Sequence, residues 1–479
     1  MEALPTELIH RICAHLCDHC RLPGSFPHAE SWGVRRRKAA LANLSAASSR
    51  LRAIVQPFLF HYFATGNMPP HGYWPKSHAE LTLEFAERAK KLPLFIRSAI
   101  QRPDLAAKVK ALQLVEPDEI GDDSNELDVL AGCMGPILEK ARRALGSASR
   151  RDFNYWKEIV DQWSDGTKRP GPLLLVQIAL LLVPNLERLS LARDFSGYDF
   201  LEVSSCNGPL TSLKSIALLP WTKYFHICEA KALFAAAPNL ETLYALDCGF
   251  KEPGYNPYRG LPFDLSLGNL KKLVLGNFDF ADLAMLLPAC SQLQELQYVR
   301  AEDEWDVDQE MTALEALMPV QKTLRTLRIK FTHWRELDRA LLMTIKSLKS
   351  FIALEELVIE QAAIPYGARV VDWLPPSVER VHFRDVTNVS SLMDHLNIMA
   401  SEAPTKLPKL QQVRVSPWRL DARNGAGRSW LAWTGNTVAG LNQAGITFED
   451  VDPAMGEQEP WLHLVYPELV GKIRGYNYM

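Results

Sequence analysis

The chain has little of several things, and each scarcity excludes something. Lys and Arg total 53 against 56 Asp and Glu over 479 residues, so no charge of one sign dominates. There is then no global field to draw in nucleic acid or an anionic membrane, and neither is expected as a partner. Eight cysteines in that length are too dilute for a disulfide framework. Five of them, Cys133, Cys206, Cys228, Cys248 and Cys290, stand singly among apolar or loop residues and are expected as small core residues. Long hydrophobic runs are also missing: the strongest, Leu173 to Val183, contains Gln177 and falls short of the roughly 20 residues of a spanning helix. It is better suited to a buried helix. Glu2, Thr6 and Glu7 interrupt the first turns, which removes the pattern of a secretory leader and leads to an expected cytoplasmic or nuclear location. No phosphate-cradling Gly loop, HExxH pair, GxSxG elbow or Ser, His and Asp spacing occurs, so no catalytic residues are assigned and no enzymatic activity is expected.

What is present is repetition. With 47% hydrophobic and 23% charged residues, the chain has the composition of a folded protein with a large core. The template apolar-x-x-apolar-x-apolar occurs at Leu186 (LERLSL), Leu213 (LKSIAL), Leu240 (LETLYA), Leu270 (LKKLVL), Leu293 (LQELQY), Leu324 (LRTLRI), Leu354 (LEELVI), Val378 (VERVHF) and Leu410 (LQQVRV), at spacings of 23 to 32 residues. Each alternating core suits a short strand with alternate residues facing inward. Apolar residues at helical spacing in Ala281 to Leu287, Met311 to Leu317 and Leu341 to Leu348 supply return helices. A strand-plus-helix unit cannot bury its apolar face alone, so stacking provides the core. An earlier copy is read at Val109 (VKALQL) and a degenerate last one at Ala444 to Phe448. Helical-looking segments fall at Glu126 to Leu145 and Asp152 to Trp163.

The amino-terminal residues follow another rule. Leu4-Pro5-Thr6-Glu7-Leu8 opens a helix, with Pro in the first turn and Glu7 near the positive end of the dipole. Leu8, Ile12 and Leu16, flanked by Ile9, form an apolar stripe. A second pattern runs through Leu41, Leu44 and Ser48 into Leu51, Ile54, Val55, Phe58, Leu59 and Tyr62, with Pro57 expected to kink or restart it.

Other motifs invite chemistry. Cys13, Cys17 and Cys20 form CxxxCxxC with His15 and His19 between them, a spacing compatible with an iron–sulfur cluster or with zinc plus one His. The run begins inside an amphipathic helix and no barrel of alternating strands and helices surrounds it, so no metal or cofactor is expected. Arg35-Arg36-Arg37-Lys38 could be a localisation signal or phosphate contact, and reads first as a solvated helix start. The acidic run Glu302 to Glu310 reads as an exposed loop.

The repeated template resembles that of leucine-rich-repeat proteins, and the LPxEL start with its following LxxLSxxSSRLR segment resembles an F-box, the helical module that docks on Skp-family adaptors. Together they are similar to F-box proteins with leucine-rich repeats, the substrate receptors of SCF-type ubiquitin ligases. The implied fold class is α/β: an all-helical module at residues 1–65, a helical connector at 66–180 with a possible first repeat near 109–114, an irregular solenoid at 181–450, and a tail or cap at 451–479. The resemblance implies a Skp-family adaptor and, through it, a cullin scaffold as partners, with Leu4, Pro5, Glu7, Leu8, Ile12, Leu41, Leu44, Ser48 and Leu51 as adaptor contacts. An interaction scaffold with no link to ubiquitin is the alternative.

Outward positions of the template are expected to meet the protein target. Leu219, Tyr244, Leu246, Val274 and Val299 would form an apolar floor, and Arg328, Lys330, Arg380 and Arg384 would read acidic or phosphorylated groups. The competing reading has the tail, Trp461 to Met479, folding over that floor, with the charges merely solubilising the strands.

Overall fold

The computed structural model describes residues 4–21, 26, 32–65, 91–115, 172–193, 210–220, 227–246, 248, 265–276, 278, 280–300, 312–331, 345–365, 367–386, 388–417 and 429–451. It is a mixed α/β chain that divides by contacts into two units, parting after Tyr244. The helices expected at Glu126 to Leu145 and Asp152 to Trp163, the Glu302 to Glu310 run, Cys133, Cys206 and the tail from residue 452 lie outside the described residues.

The first unit opens with four helices: α1 (Thr6–Leu16), α2 (Asp18–Arg21), α3 (Trp32–Ala47) and α4 (Ser49–Phe60). Pro5 sits extended at the start of α1, and its carbonyl accepts from the Leu8 and Ile9 amides at 3.1 and 3.2 Å. Ser48 caps α4 by accepting from the Leu51 amide at 3.2 Å, satisfying a donor that the helix itself leaves unpaired. Helix α4 runs through Pro57 to Phe60 without restarting. Ile9, Cys13, Leu41, Leu51 and Val55 make the core of this cluster, with Leu4, Leu16, Leu44, Ile54, Phe58 and Leu59 packed around them. The inward stripe of α1 is therefore Ile9 and Cys13, one residue round from the expected Leu8 and Ile12.

Strands β1 (Tyr62–Ala64), β2 (Ala111–Val115), β3 (Arg188–Arg193) and β4 (Ser215–Pro220) follow, and β5 (Thr242–Leu246) spans the division. The second unit continues with β6 (Lys272–Gly276), β7 (Glu295–Arg300), β8 (Thr326–Phe331), β9 (Glu356–Glu360), β10 (Arg380–Val386), β11 (Gln412–Pro417) and β12 (Thr447–Asp450). Neighbours in the sheet are neighbours in sequence, and the ladders β1–β2, β2–β3, β3–β4 and β6 through β12 are parallel. All nine template copies supply a strand, as do the early copy at Val109 and the last one at Ala444. Strand β1 lies outside the template.

Register repeats because each copy starts the same way. The Lys214 amide bonds the Glu187 carbonyl and the Glu241 amide bonds the Lys214 carbonyl, each at 2.9 Å. Side chains reinforce that step: Asn185 and Asn239 donate to the carbonyls of Ala107 and Thr211, both at 2.8 Å, and Ser377 Oγ donates to the Leu354 carbonyl at 2.8 Å. These are the Asn residues that follow Pro184 and Pro238 in sequence.

Return segments are helical at Pro172–Leu182, Lys231–Ala236, Phe280–Leu286, Ala313–Leu317, Val370–Trp373 and Val389–Lys406. Residues 345–348 are not helical, although apolar spacing suggests a helix there. Gln177 is buried within its apolar helix. Cys248 and Cys290 are fully buried as expected, while Cys228 is half-buried.

Candidate functional site

Helix α1 presents two different faces. Leu8 is 43% exposed, Pro5 and Glu7 are exposed, and Ile12 and Leu4 are half-buried. Leu44 and Ser48 are half-buried as well. Leu41 and Leu51 are 1% and 2% exposed in the helical core, so these two expected adaptor contacts hold the module together and offer a partner no surface. Arg50 ties the start of α1 to α4, donating to the Leu4 carbonyl at 2.9 Å.

The outward row of the strands departs further from expectation. Leu219, Tyr244, Leu246, Val274 and Val299 are all at most 8% exposed, so the apolar floor is not an open surface. Both faces of these strands are covered, which fits a parallel sheet better than alternation with solvent. Over Tyr244 lies Phe26, 6% exposed, with ring centroids 6.5 Å apart. On β1 to β3 the covering comes from the helical module. Val34 packs on Tyr62 and Ala111, and the Lys38 ammonium stands 4.5 Å from the Tyr62 ring centroid. The Tyr62 hydroxyl donates to Gln113 Oε1 at 2.8 Å.

The basic run is largely consumed by such contacts. Arg37 donates from Nε to buried Asp18 at 2.8 Å, Arg36 lies over Trp32, and burial pushes the Lys38 ammonium down to about 8.

In β8 to β12 the charged side chains pair across strands. Glu356 accepts from Arg328 at 2.9 Å and from Arg380 at 3.1 Å, and Glu449 accepts from Arg414 at 2.8 Å. Arg328, Glu356, Val358, Arg380, His382 and Arg414 are among the residues lining a cavity of about 90 Å³. His382 contacts Ser416 Oγ at 2.8 Å, and burial, aided by the nearby Arg384, Arg414 and Arg328, holds its imidazole down to about 3. Lys330 and Arg384 are half-buried on the same face. The charged outward row is thus a network of pairs in which Arg328 and Arg380 already hold a carboxylate.

A third cluster lies within the first unit. Cys17 follows α1, Cys20 lies in α2, and His61 ends α4. His61 Nδ1 is 3.7 Å from Cys17 Sγ and 3.5 Å from Cys20 Sγ, and the three atoms all lie within 4.8 Å of one another. A hydrogen bond with the Cys20 thiol, assisted by His61, lowers the Cys17 thiol against the effect of burial, while the same hydrogen bond and burial raise Cys20. Cys13 points instead into the Ile9 and Leu41 core. The CxxC half of this cluster is legible in sequence; His61, 41 residues beyond Cys20, is not.

No family model matches the chain, and the curated proteins contain no match to it.

Proposed function

We propose that the chain is the substrate-receptor subunit of an SCF-type ubiquitin ligase, an F-box module followed by leucine-rich repeats. The observation that carries this reading is α1, whose Leu8 remains 43% exposed beside Pro5 and Glu7 while Ile9 and Cys13 fill the core. Covering the exposed parts of Leu8 and Ile12 contributes on the order of 1 kcal/mol each, from the area removed from water. A Skp-family adaptor is the partner for that face, and a cullin scaffold follows through the adaptor. The chain would act without catalytic groups, by raising the effective concentration of a target near the charged enzyme. With the apolar row covered, the protein target falls to the charged rows of β8 to β11 around Arg328, Lys330, Arg380 and Arg384.

Binding of the full chain to a purified Skp-family adaptor tests the first step. The wild-type chain is expected to bind, and Leu8→Asp to weaken binding at least tenfold with unchanged circular dichroism. Failure of the wild-type chain to bind removes the ubiquitin link. It would leave the second reading, an interaction scaffold, which is favoured by the packing of Val34 and Lys38 against β1 and β2. That packing gives the helical module a purpose inside the chain.

A further inference from the structure

The structure assigns a zinc site to Cys17, Cys20 and His61, with His19 as the fourth ligand. Zinc bound by two thiolates and two imidazoles is tetrahedral, with Zn–S about 2.3 Å and Zn–N about 2.0 to 2.1 Å, which sets sulfur and nitrogen about 3.5 Å apart along each edge. Three of the four sulfur–nitrogen edges of such a shell are 3.7 Å for Cys17 and His61, 3.5 Å for Cys20 and His61, and 3.9 Å for Cys20 and His19 Nδ1; His19 is not among the ligand atoms that all lie within 4.8 Å of one another, so its ring closes on Cys17 and His61 when the ion binds. All three are near that edge length. The three-residue step from Cys17 to Cys20 across one turn brings both sulfurs to one side.

The surroundings have the features of a supported site. His19 turns Nδ1 toward Cys20 and Nε2 toward the Glu187 carboxylate at 3.3 Å, the arrangement in which a carboxylate fixes the orientation of a metal-bound imidazole. The His19 carbonyl accepts from Arg188 at 3.1 Å. His61 is anchored on its backbone, its carbonyl accepting from the Lys110 and Ala111 amides at 2.9 Å each. Cys17 is 2% exposed, and binding exchanges two thiol protons for one dication, leaving a neutral cluster that is tolerable in such a place. Cys13, though in sequence the first of the CxxxCxxC run, is a core residue and no ligand.

A closed site of this kind is structural. It would join α2 to the end of α4, staples of this sort being the means by which small modules with little core of their own keep their shape. This assignment is independent of the adaptor reading: the chain could hold zinc without binding an adaptor, and the reverse.

Elemental analysis and X-ray absorption on the full chain, purified under reducing conditions with zinc supplied, test it. About one zinc per chain in a shell of two sulfurs and two nitrogens is expected, and cobalt(II) in its place should show the visible bands of tetrahedral thiolate coordination. Cys17→Ser, Cys20→Ser and His61→Ala should each lower zinc content at least tenfold, while Cys228→Ser keeps it. His19→Gln should weaken zinc binding at least tenfold; unchanged affinity would remove His19 from the shell. A wild-type chain without zinc, a shell lacking two sulfurs, or a Cys17–Cys20 disulfide in the reduced protein overturns the assignment, and none of these needs a variant that folds.

Discussion

Leu8 and Ile9 are adjacent in sequence and opposite in environment, one 43% and the other 1% exposed. A helical step of about 100° is enough to carry one side chain into a core and the next out of it. This difference separates the residues of the helical module into two kinds that denaturation distinguishes. Leu41→Ala and Leu51→Ala should each cost about 2 to 5 kcal/mol, because both leave cavities. Leu8→Ala should stay within about 0.5 kcal/mol as a surface change. Urea midpoints settle both, and a Leu51→Ala protein as stable as wild type would contradict the burial described above. His382 gives a pH signature at the same scale. In the unfolded chain it takes a proton near its ordinary value of 6.5, and in the folded chain only at about 3. Between those values the unfolded state binds more protons, so the His382 contribution is complete above about pH 6.5 and drains away as pH falls toward 3. His382→Gln can keep a hydrogen bond to Ser416 but has no proton to gain. Its stability should fall less steeply on acidification than that of wild type, by up to about 1.4 kcal/mol per pH unit. Parallel acid limbs for the two proteins would refute this.

Among the elements, the start of α4 shows a residue whose sequence role and structural role differ. Ser48 falls where the F-box resemblance expects an adaptor contact, and its hydroxyl is occupied in accepting from the Leu51 amide. Ser48→Ala should cost about 0.5 to 2 kcal/mol of stability, and Ser48→Asp should restore most of it as an alternative cap. Adaptor binding that falls for both variants alike would give Ser48 a second role. At the β5–β6 contact, a side chain at Gly276 would place its Cβ 2.8 Å from Leu246 Cδ2. Gly276→Val should therefore cost about 1 to 3 kcal/mol by overpacking, read from the urea midpoint. The need for glycine there was invisible in the template, since it depends on Leu246 of a different copy. By contrast the Pro-Asn-Leu steps at Pro184 and Pro238 are turns, held by the Asn185 and Asn239 bonds to the Ala107 and Thr211 carbonyls.

Across the whole molecule, strand order equals chain order, so each copy draws its stability from its neighbours and damage should stay local. Leu357, fully buried in β9, is a site for this test: Leu357→Ala should reduce hydrogen-exchange protection most in β8, β9 and β10, leaving β1 to β3 near wild type. Uniform loss over the described strands would mean a single cooperative unit instead. The sequence by itself determined the period, the inward residues of nearly every strand and the helical start, because apolar spacing alone dictates which side chains must leave water. Tertiary structure decided what the outward rows face. Val274 and Val299 became covered, Arg328 and Arg380 found Glu356, and His61 came to Cys17 and Cys20 across 41 residues and more. Those outcomes depend on which distant segments lie alongside one another, and a local pattern carries no record of that.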